Sequence, residues 1–208
     1  MFLSHQNRMS LGLTKATSGN FLNYVRDGLK LYMPYKGHPA EETQFVGTGS
    51  TSFNGASDGS GNYIALSSQA LTGAFTISMW INPDDITAVN LLGLSSANTD
   101  YLWIDGSNDV ILVSGDLSLS FTSSNITVDV WQHIVITRDS SNIPKFYKDG
   151  VLVQTLGADA GTFTFDQIGR FHDGDTGSAE DYFYNGSIKN VAIWNRALTA
   201  TEVQNVMY

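Results

Sequence analysis

The stretch WQHIVITRDSSNIPKFYKDGVLVQT, residues 131–155, decides how the chain is read. In its first run, Trp131, His133, Val135 and Thr137 fall on one face while Ile134 and Ile136 fall on the other, which is the two-residue period of a strand. A strand apolar on both faces belongs mid-sheet, between two covered layers. The second run, FYKDGVLVQT, breaks at Asp149-Gly150, a pair that supplies the positive φ values of a two-residue turn at little steric cost. The stretch is therefore a hairpin that serves as scaffold, and function must sit elsewhere.

Working outward, similar runs recur along the chain with turn residues between them. GLKLYMPY places Leu29, Leu31, Met33 and Tyr35 on one expected face and stops at Lys36-Gly37-His38-Pro39. AFTISMWINP alternates Phe75, Ile77, Met79 and Ile81 against Thr76, Ser78 and Trp80, and ends at Pro83. STSFNG, NYIALS, NLLGLSS, DYLWIDG, DVILVSG, LSLSFTS, NITVDV, TFTFDQIGRF, DYFYNGS and IKNVAIWNR complete the series. Many short strands with almost no helical period predict an antiparallel sandwich of two packed sheets. No fixed repeat is present, which argues against a propeller or solenoid.

One helix is expected, at the C-terminus. Thr199-Ala200-Thr201-Glu202 spells a capping box, and Leu198 and Val203 stand where a hydrophobic staple would close over it. So short a helix survives only if it docks on the sandwich.

Composition narrows the function. The 208 residues include no cysteine, so disulfides, thiolate nucleophiles and zinc–cysteine sites are excluded. The net charge of −9 is uneven. Residues 1–36 carry five cations, Arg8, Lys15, Arg26, Lys30 and Lys36, against the single acid Asp27; the remainder carries six cations against nineteen carboxylates. Such a body repels phosphate, and a nucleic-acid partner is not expected. MFLSHQNRMSLGL lacks the apolar core and cleavage site of a signal peptide, and no run reaches the length of a membrane span.

Five segments in order resemble the laminin-G-like domains of the concanavalin A-like lectin/glucanase superfamily. GLKLYMPYKG (28–37) is similar to the opening strand, SFNGASDGSGNYIAL (52–66) to the hairpin after it, and FTISMWINP (75–83) to the next core strand. The Trp-x-His hairpin at 131–155 and NGSIKNVAIWNRALTATEV (185–203) resemble the central hairpin and the closing strand and helix. The resemblance implies an all-β, antiparallel jelly-roll β-sandwich over residues 27–208, with one short C-terminal helix and an N-terminal arm at residues 1–26.

Retaining glucanases of that superfamily set paired acids in an alternating Glu-x-Asp-x-x-Glu pattern, because glycoside hydrolysis needs two carboxylates flanking the bond. This chain has four Glu, at 41, 42, 180 and 202, and none lies in such a pattern, so no catalytic residue and no enzyme is expected. His133 reads as a hydrogen-bonded sheet residue, and Trp80, Trp131 and Trp194 as sheet packing.

Two clusters could carry a ligand. Tyr101 and Trp103 alternate onto one face, as do Tyr182 and Tyr184, with Phe171 and His172 nearby; exposed aromatics of this kind stack on sugars. The loop FHDGDTGSAEDY (171–182) gathers Asp173, Asp175, Glu180 and Asp181, oxygen ligands suited to Ca²⁺, though it fails the EF-hand spacing. The resemblance adds Asp58 as a candidate ligand. Calcium-binding members carry an acidic pair at the start of the closing strand, where this chain has Lys189-Asn190.

The expectation is a non-catalytic structural or binding module, placed on a virion surface as a head decoration or fibre-associated protein. A virion protein leaves the cell by lysis, which fits a chain that starts at Met1 without an export signal. The arm, with Phe2, Arg8, Lys15 and Phe21, would anchor it to another copy or to a capsid shell. The alternative is an extracellular or cell-surface lectin that binds glycan, with a degenerate glycoside hydrolase as the third reading.

Overall fold

A computed structural model of the protein describes residues 27–33, 45–46, 50–55, 61–87, 89–97, 99–171 and 182–207. The arm residues Phe2, Arg8, Lys15 and Phe21 lie outside the described residues, as do His172 and the candidate metal ligands Asp58, Asp173, Asp175 and Asp181.

Among the described residues, sixteen strands and one helix follow in order. They are β1 (Leu29–Met33), β2 (Phe45–Val46), β3 (Ser50–Asn54), β4 (Ile64–Thr72), β5 (Phe75–Pro83), β6 (Val89–Gly93), β7 (Tyr101–Ile104) and β8 (Val110–Ser114). Then come β9 (Leu117–Phe121), β10 (Gln132–Arg138), β11 (Pro144–Lys148), β12 (Val151–Thr155), β13 (Thr162–Ile168), β14 (Arg170–Phe171), β15 (Tyr182–Phe183), β16 (Asn185–Trp194) and α1 (Ala200–Asn205).

The first sheet runs β12-β11-β10-β5-β16-β3-β2, with β1 also pairing β16. The second runs β4-β13-β6-β7-β8-β9, and β14-β15 form a separate two-stranded ribbon. Every strand pair is antiparallel. This is the expected sandwich. Phe75, Ile77, Met79 and Ile81 of β5 and Ile134 and Ile136 of β10 meet Leu102, Ile104, Leu112, Phe163 and Phe165 of the second sheet in one core.

The outer face of the first sheet is covered as well. Val135, Tyr147, Ala192 and Trp194 pack against Leu198, Val203 and Val206, so the C-terminal helix is the second layer that the two-sided pattern of β10 requires. Thr199 Oγ1 accepts from the Glu202 amide at 3.3 Å, and Glu202 accepts from the Thr199 amide at 2.8 Å, completing the capping box. Arg196 grips the same carboxylate through both terminal nitrogens, at 2.9 and 2.7 Å. Asp149 and Gly150 turn β11 into β12 with φ of 51° and 76°.

The single face expected for Leu29 and Leu31 is corrected. Leu29 pairs Trp194 and packs on the helix side, whereas Leu31 pairs Ile193 and packs in the inter-sheet core. A bulge between them inverts the alternation. His133 also departs from expectation in part: Nε2 lies 2.8 Å from Ser78 Oγ, but Nδ1 is buried with no partner.

Burial holds the His133 pKa down at about 4, against 6.5 for the free side chain. The imidazole is neutral when folded, and the unfolded chain binds the extra proton first. Stability should therefore be complete above about pH 6.5 and fall between there and about pH 4, as urea midpoints across that range would record. Independently, Thr199→Ala should lower stability by about 1 kcal/mol through loss of the cap acceptor, and an unchanged midpoint would mean that the helix is held by packing alone.

Candidate functional site

Strand β7 reads Tyr-Leu-Trp-Ile, and the inter-sheet core takes Leu102 and Ile104. Tyr101 and Trp103 are thereby turned to the outer face of the second sheet, both half-buried. Residues paired directly across antiparallel strands share a face. Trp103 pairs Asn90 on one side and Ile111 on the other, and Tyr101 pairs Gly93 and Val113. Gly93 in turn pairs Gln167 of β13.

The ribbon β14–β15 lies across this face. After β13 the chain turns at Gly169, whose φ is +81°. Its amide donates to the Leu91 carbonyl at 2.9 Å, and its carbonyl accepts from the Tyr184 amide at 2.9 Å. The ribbon then passes so close over the sheet that a Cβ at Gly93 would stand 2.3 Å from the Arg170 carbonyl oxygen. Glycine at 93 is therefore a requirement of space: any side chain there would lift the ribbon away.

The result is an aromatic cluster. Tyr101 lies 4.7 Å from Phe171 and 5.5 Å from Trp103, centroid to centroid; Tyr182 lies 6.1 Å from Phe171 and 6.3 Å from Trp103. Of the six aromatic or imidazole residues singled out in the sequence, the structure brings together Tyr101, Trp103, Phe171 and Tyr182, while His172 lies outside the described residues. Tyr184 does not belong to the cluster. It is fully buried, edge-on to Phe53 in the inter-sheet core, because β15 ends at Phe183 and the chain turns inward before β16 begins.

Sequence reading missed the polar part of this face. Asn90 is 1% exposed, and both its amide oxygen and its amide nitrogen lack a hydrogen-bond partner. Trp103 Nε1 beside it is buried without an acceptor, and Gln167 Oε1 without a donor. Unpaired buried polar groups are uncommon and costly. The one available signal was Asn at the second position of the apolar strand VNLLG, where an amide is out of place unless something answers it.

Burial raises the Tyr101 pKa, so its phenol stays neutral. Among the described residues, the carboxylates of Asp100 and Asp166 make local hydrogen bonds. Asp166 accepts from the Ser95 amide and hydroxyl at 2.7 and 2.6 Å, and Asp100 accepts from Thr99 Oγ1 at 3.2 Å. Burial raises the Asp100 pKa. The Arg170 guanidinium sits over the Tyr63 ring at 4.7 Å. Among the described residues, no group of three or more His, Asp or Glu is placed to hold a metal. The half-buried rings of Tyr101, Trp103 and Tyr182 offer a surface for stacking, and the unpaired polar atoms lie buried beside them.

A profile of the concanavalin A-like lectin/glucanases superfamily, laminin-G type, matches residues 58–204. The chain belongs to this family. No curated protein matches it. Among solved structures, it is similar to domain 4 of a GH43 extracellular arabinanase from Geobacillus stearothermophilus, solved in complex with arabinotriose. The TM-score is 0.59 at 16% identity, covering 84% of this chain and 85% of that one. It is also similar to the CBM40 of a Ruminococcus gnavus IT-sialidase bound to α2,3-sialyllactose, with TM-score 0.51, 18% identity, and coverage of 65% and 83%. A heptameric SAP-like pentraxin from Limulus polyphemus aligns with TM-score 0.50 at 18% identity over 76% and 80% of the two chains. At these identities the likeness is one of fold.

The orphaned amide gives a stability test. Asn90→Leu replaces two unpaired buried polar atoms with methyl groups on the same branched skeleton, and should leave the protein as stable or more stable by about 1 kcal/mol. A clear loss of stability in thermal unfolding would show that Asn90 is part of the packing and is not held ready for a ligand.

Proposed function

We propose that the protein is a non-catalytic glycan-binding module whose site is the outer face of the second sheet. Tyr101, Trp103 and Tyr182 supply the stacking surface. Asn90, Gln167 and Trp103 Nε1 supply hydrogen-bonding atoms for sugar hydroxyls. The carrying observation is Asn90: an amide with both polar atoms buried and unanswered, directly across from a tryptophan that faces outward. Hydroxyl-bearing ligands offer donors and acceptors together, which is what that amide lacks.

The fold supports the reading, since the arabinanase domain is solved in complex with arabinotriose and the CBM40 bound to α2,3-sialyllactose. Against hydrolysis stands the sequence, in which none of the four Glu lies in an alternating acidic pattern, and Glu202 is taken up by the helix cap. Retaining hydrolysis requires two free carboxylates facing one bond. Attachment to a virion or to another subunit through residues 1–26 is a separate proposal, resting on the charge and apolar content of the arm alone.

Calorimetric titration with arabinotriose, xylotriose and cellotriose tests the site. At least one should bind, and Trp103→Ala should weaken it by about tenfold or more, through loss of a stacking ring and a donor. If none binds, or if binding ignores Trp103→Ala and Tyr182→Ala alike, the site is misassigned.

A further inference from the structure

The outer face of the first sheet is only partly covered by the helix. Helix α1 seals Val135, Ala192 and Trp194, then ends at Asn205 with Val206 as its C-cap. The following carbonyl, that of Met207, accepts from Trp80 Nε1 at 3.2 Å. Beyond that point one row crosses the central strands, His133 of β10 paired to Trp80 of β5, and Trp80 paired to Lys189 of β16. Trp131, just before β10, completes a patch in which both indoles and the Lys189 side chain are half-buried.

The lysine is held in an unusual way. Its Nζ lies 4.2 Å from the centre of the Trp131 ring and 5.3 Å from that of Trp80, between two indoles that attract a cation through their faces. Among the described residues no carboxylate bonds to it, although the protein carries almost two acids for each base. Partial burial already lowers its pKa. Placement is deliberate in structural terms: an extra residue in β16 between Lys189 and Ala192, with Asn190 at φ of 53°, forms a bulge. Such bulges re-aim side chains within a sheet. A structural plug at this place would be met as well by a neutral aliphatic chain. An ammonium with three donors, held between two indoles and paired with no described carboxylate, is suited to receive an anion.

We infer that Trp80, Trp131 and Lys189 form a second ligand site, for an acidic sugar. The ring's C–H face would lie on the indoles, and its carboxylate would accept from Lys189 Nζ. The site is on the sheet opposite the Tyr101–Trp103 platform and does not depend on the reading of that platform. Charge sets the two apart, since this patch carries an ammonium that no described carboxylate pairs, whereas the platform residues Tyr101, Trp103 and Tyr182 are uncharged.

The test is a titration of the full chain with D-glucuronate, followed by calorimetry and by the indole N–H resonances of the four tryptophans. D-Glucose and acetate serve as comparators. Glucuronate should bind and shift the Trp80 and Trp131 signals while leaving buried Trp194 in place. Lys189→Met should weaken binding by about tenfold or more, as expected for a lost charged hydrogen bond. Lys189→Arg, which keeps the cation, should retain binding and covers the case in which the methionine variant folds poorly. Acetate binding as tightly as glucuronate would overturn the sugar assignment. No glucuronate binding, or binding that Lys189→Met leaves unchanged in a folded protein, would overturn the site.

Discussion

Strand β16 runs through the first sheet between β5 and β3, with β1 alongside, and must satisfy two layers at once. Ile188, Val191 and Ile193 enter the inter-sheet core, while Ala192 and Trp194 meet the helix. The bulge at Asn190 makes this possible, because it lets Lys189 and Ala192 share a face although three positions separate them. The bulge thereby sets Lys189 in the open patch on the same face as Ala192 and Trp194, which the helix covers. Arg196, just after the strand, extends the same logic: its guanidinium joins Glu202 of the helix to the Asp27 carbonyl ahead of β1. That carboxylate is held at a pKa of about 2, first through its hydrogen bond to Arg196. The contribution is present above about pH 4.5 and lost as pH falls toward 2.

Much of the fold was legible because alternation and turn chemistry are local. Phe75 to Ile81, the two faces of the 132–138 strand, the Asp149-Gly150 turn and the Thr199–Glu202 box each follow from a few adjacent residues. What was not legible depends on register. The bulge that separates Leu29 from Leu31 arises from pairing with Trp194 and Ile193, residues far away in the chain. Tyr184 illustrates the same limit. Its two-residue spacing from Tyr182 suggested one face, but the ribbon ends between them and the second ring goes to the core.

The site was legible as a set of residue types and illegible as a chemistry. Aromatic alternation pointed to Tyr101 and Trp103, yet their complement of polar atoms comes from Asn90 and Gln167 on strands that are neighbours only in the folded sheet. Gly93 is the hinge of the arrangement, since its missing side chain admits the ribbon that carries Phe171 and Tyr182. The hairpin at 131–155 answers to the same division of labour. It is scaffold over most of its length, and only at Trp131 and His133 does it reach the open patch.

The central claim is that the unpaired amide beneath the aromatic cluster is the floor of a glycan site. A crystal structure of the protein soaked in arabinotriose or cellotriose addresses it most directly. The account predicts sugar density stacked on Tyr101 and Trp103, with hydroxyls within hydrogen-bonding distance of both amide atoms of Asn90. A sugar bound elsewhere on the sandwich, with Asn90 still unpartnered, would contradict it.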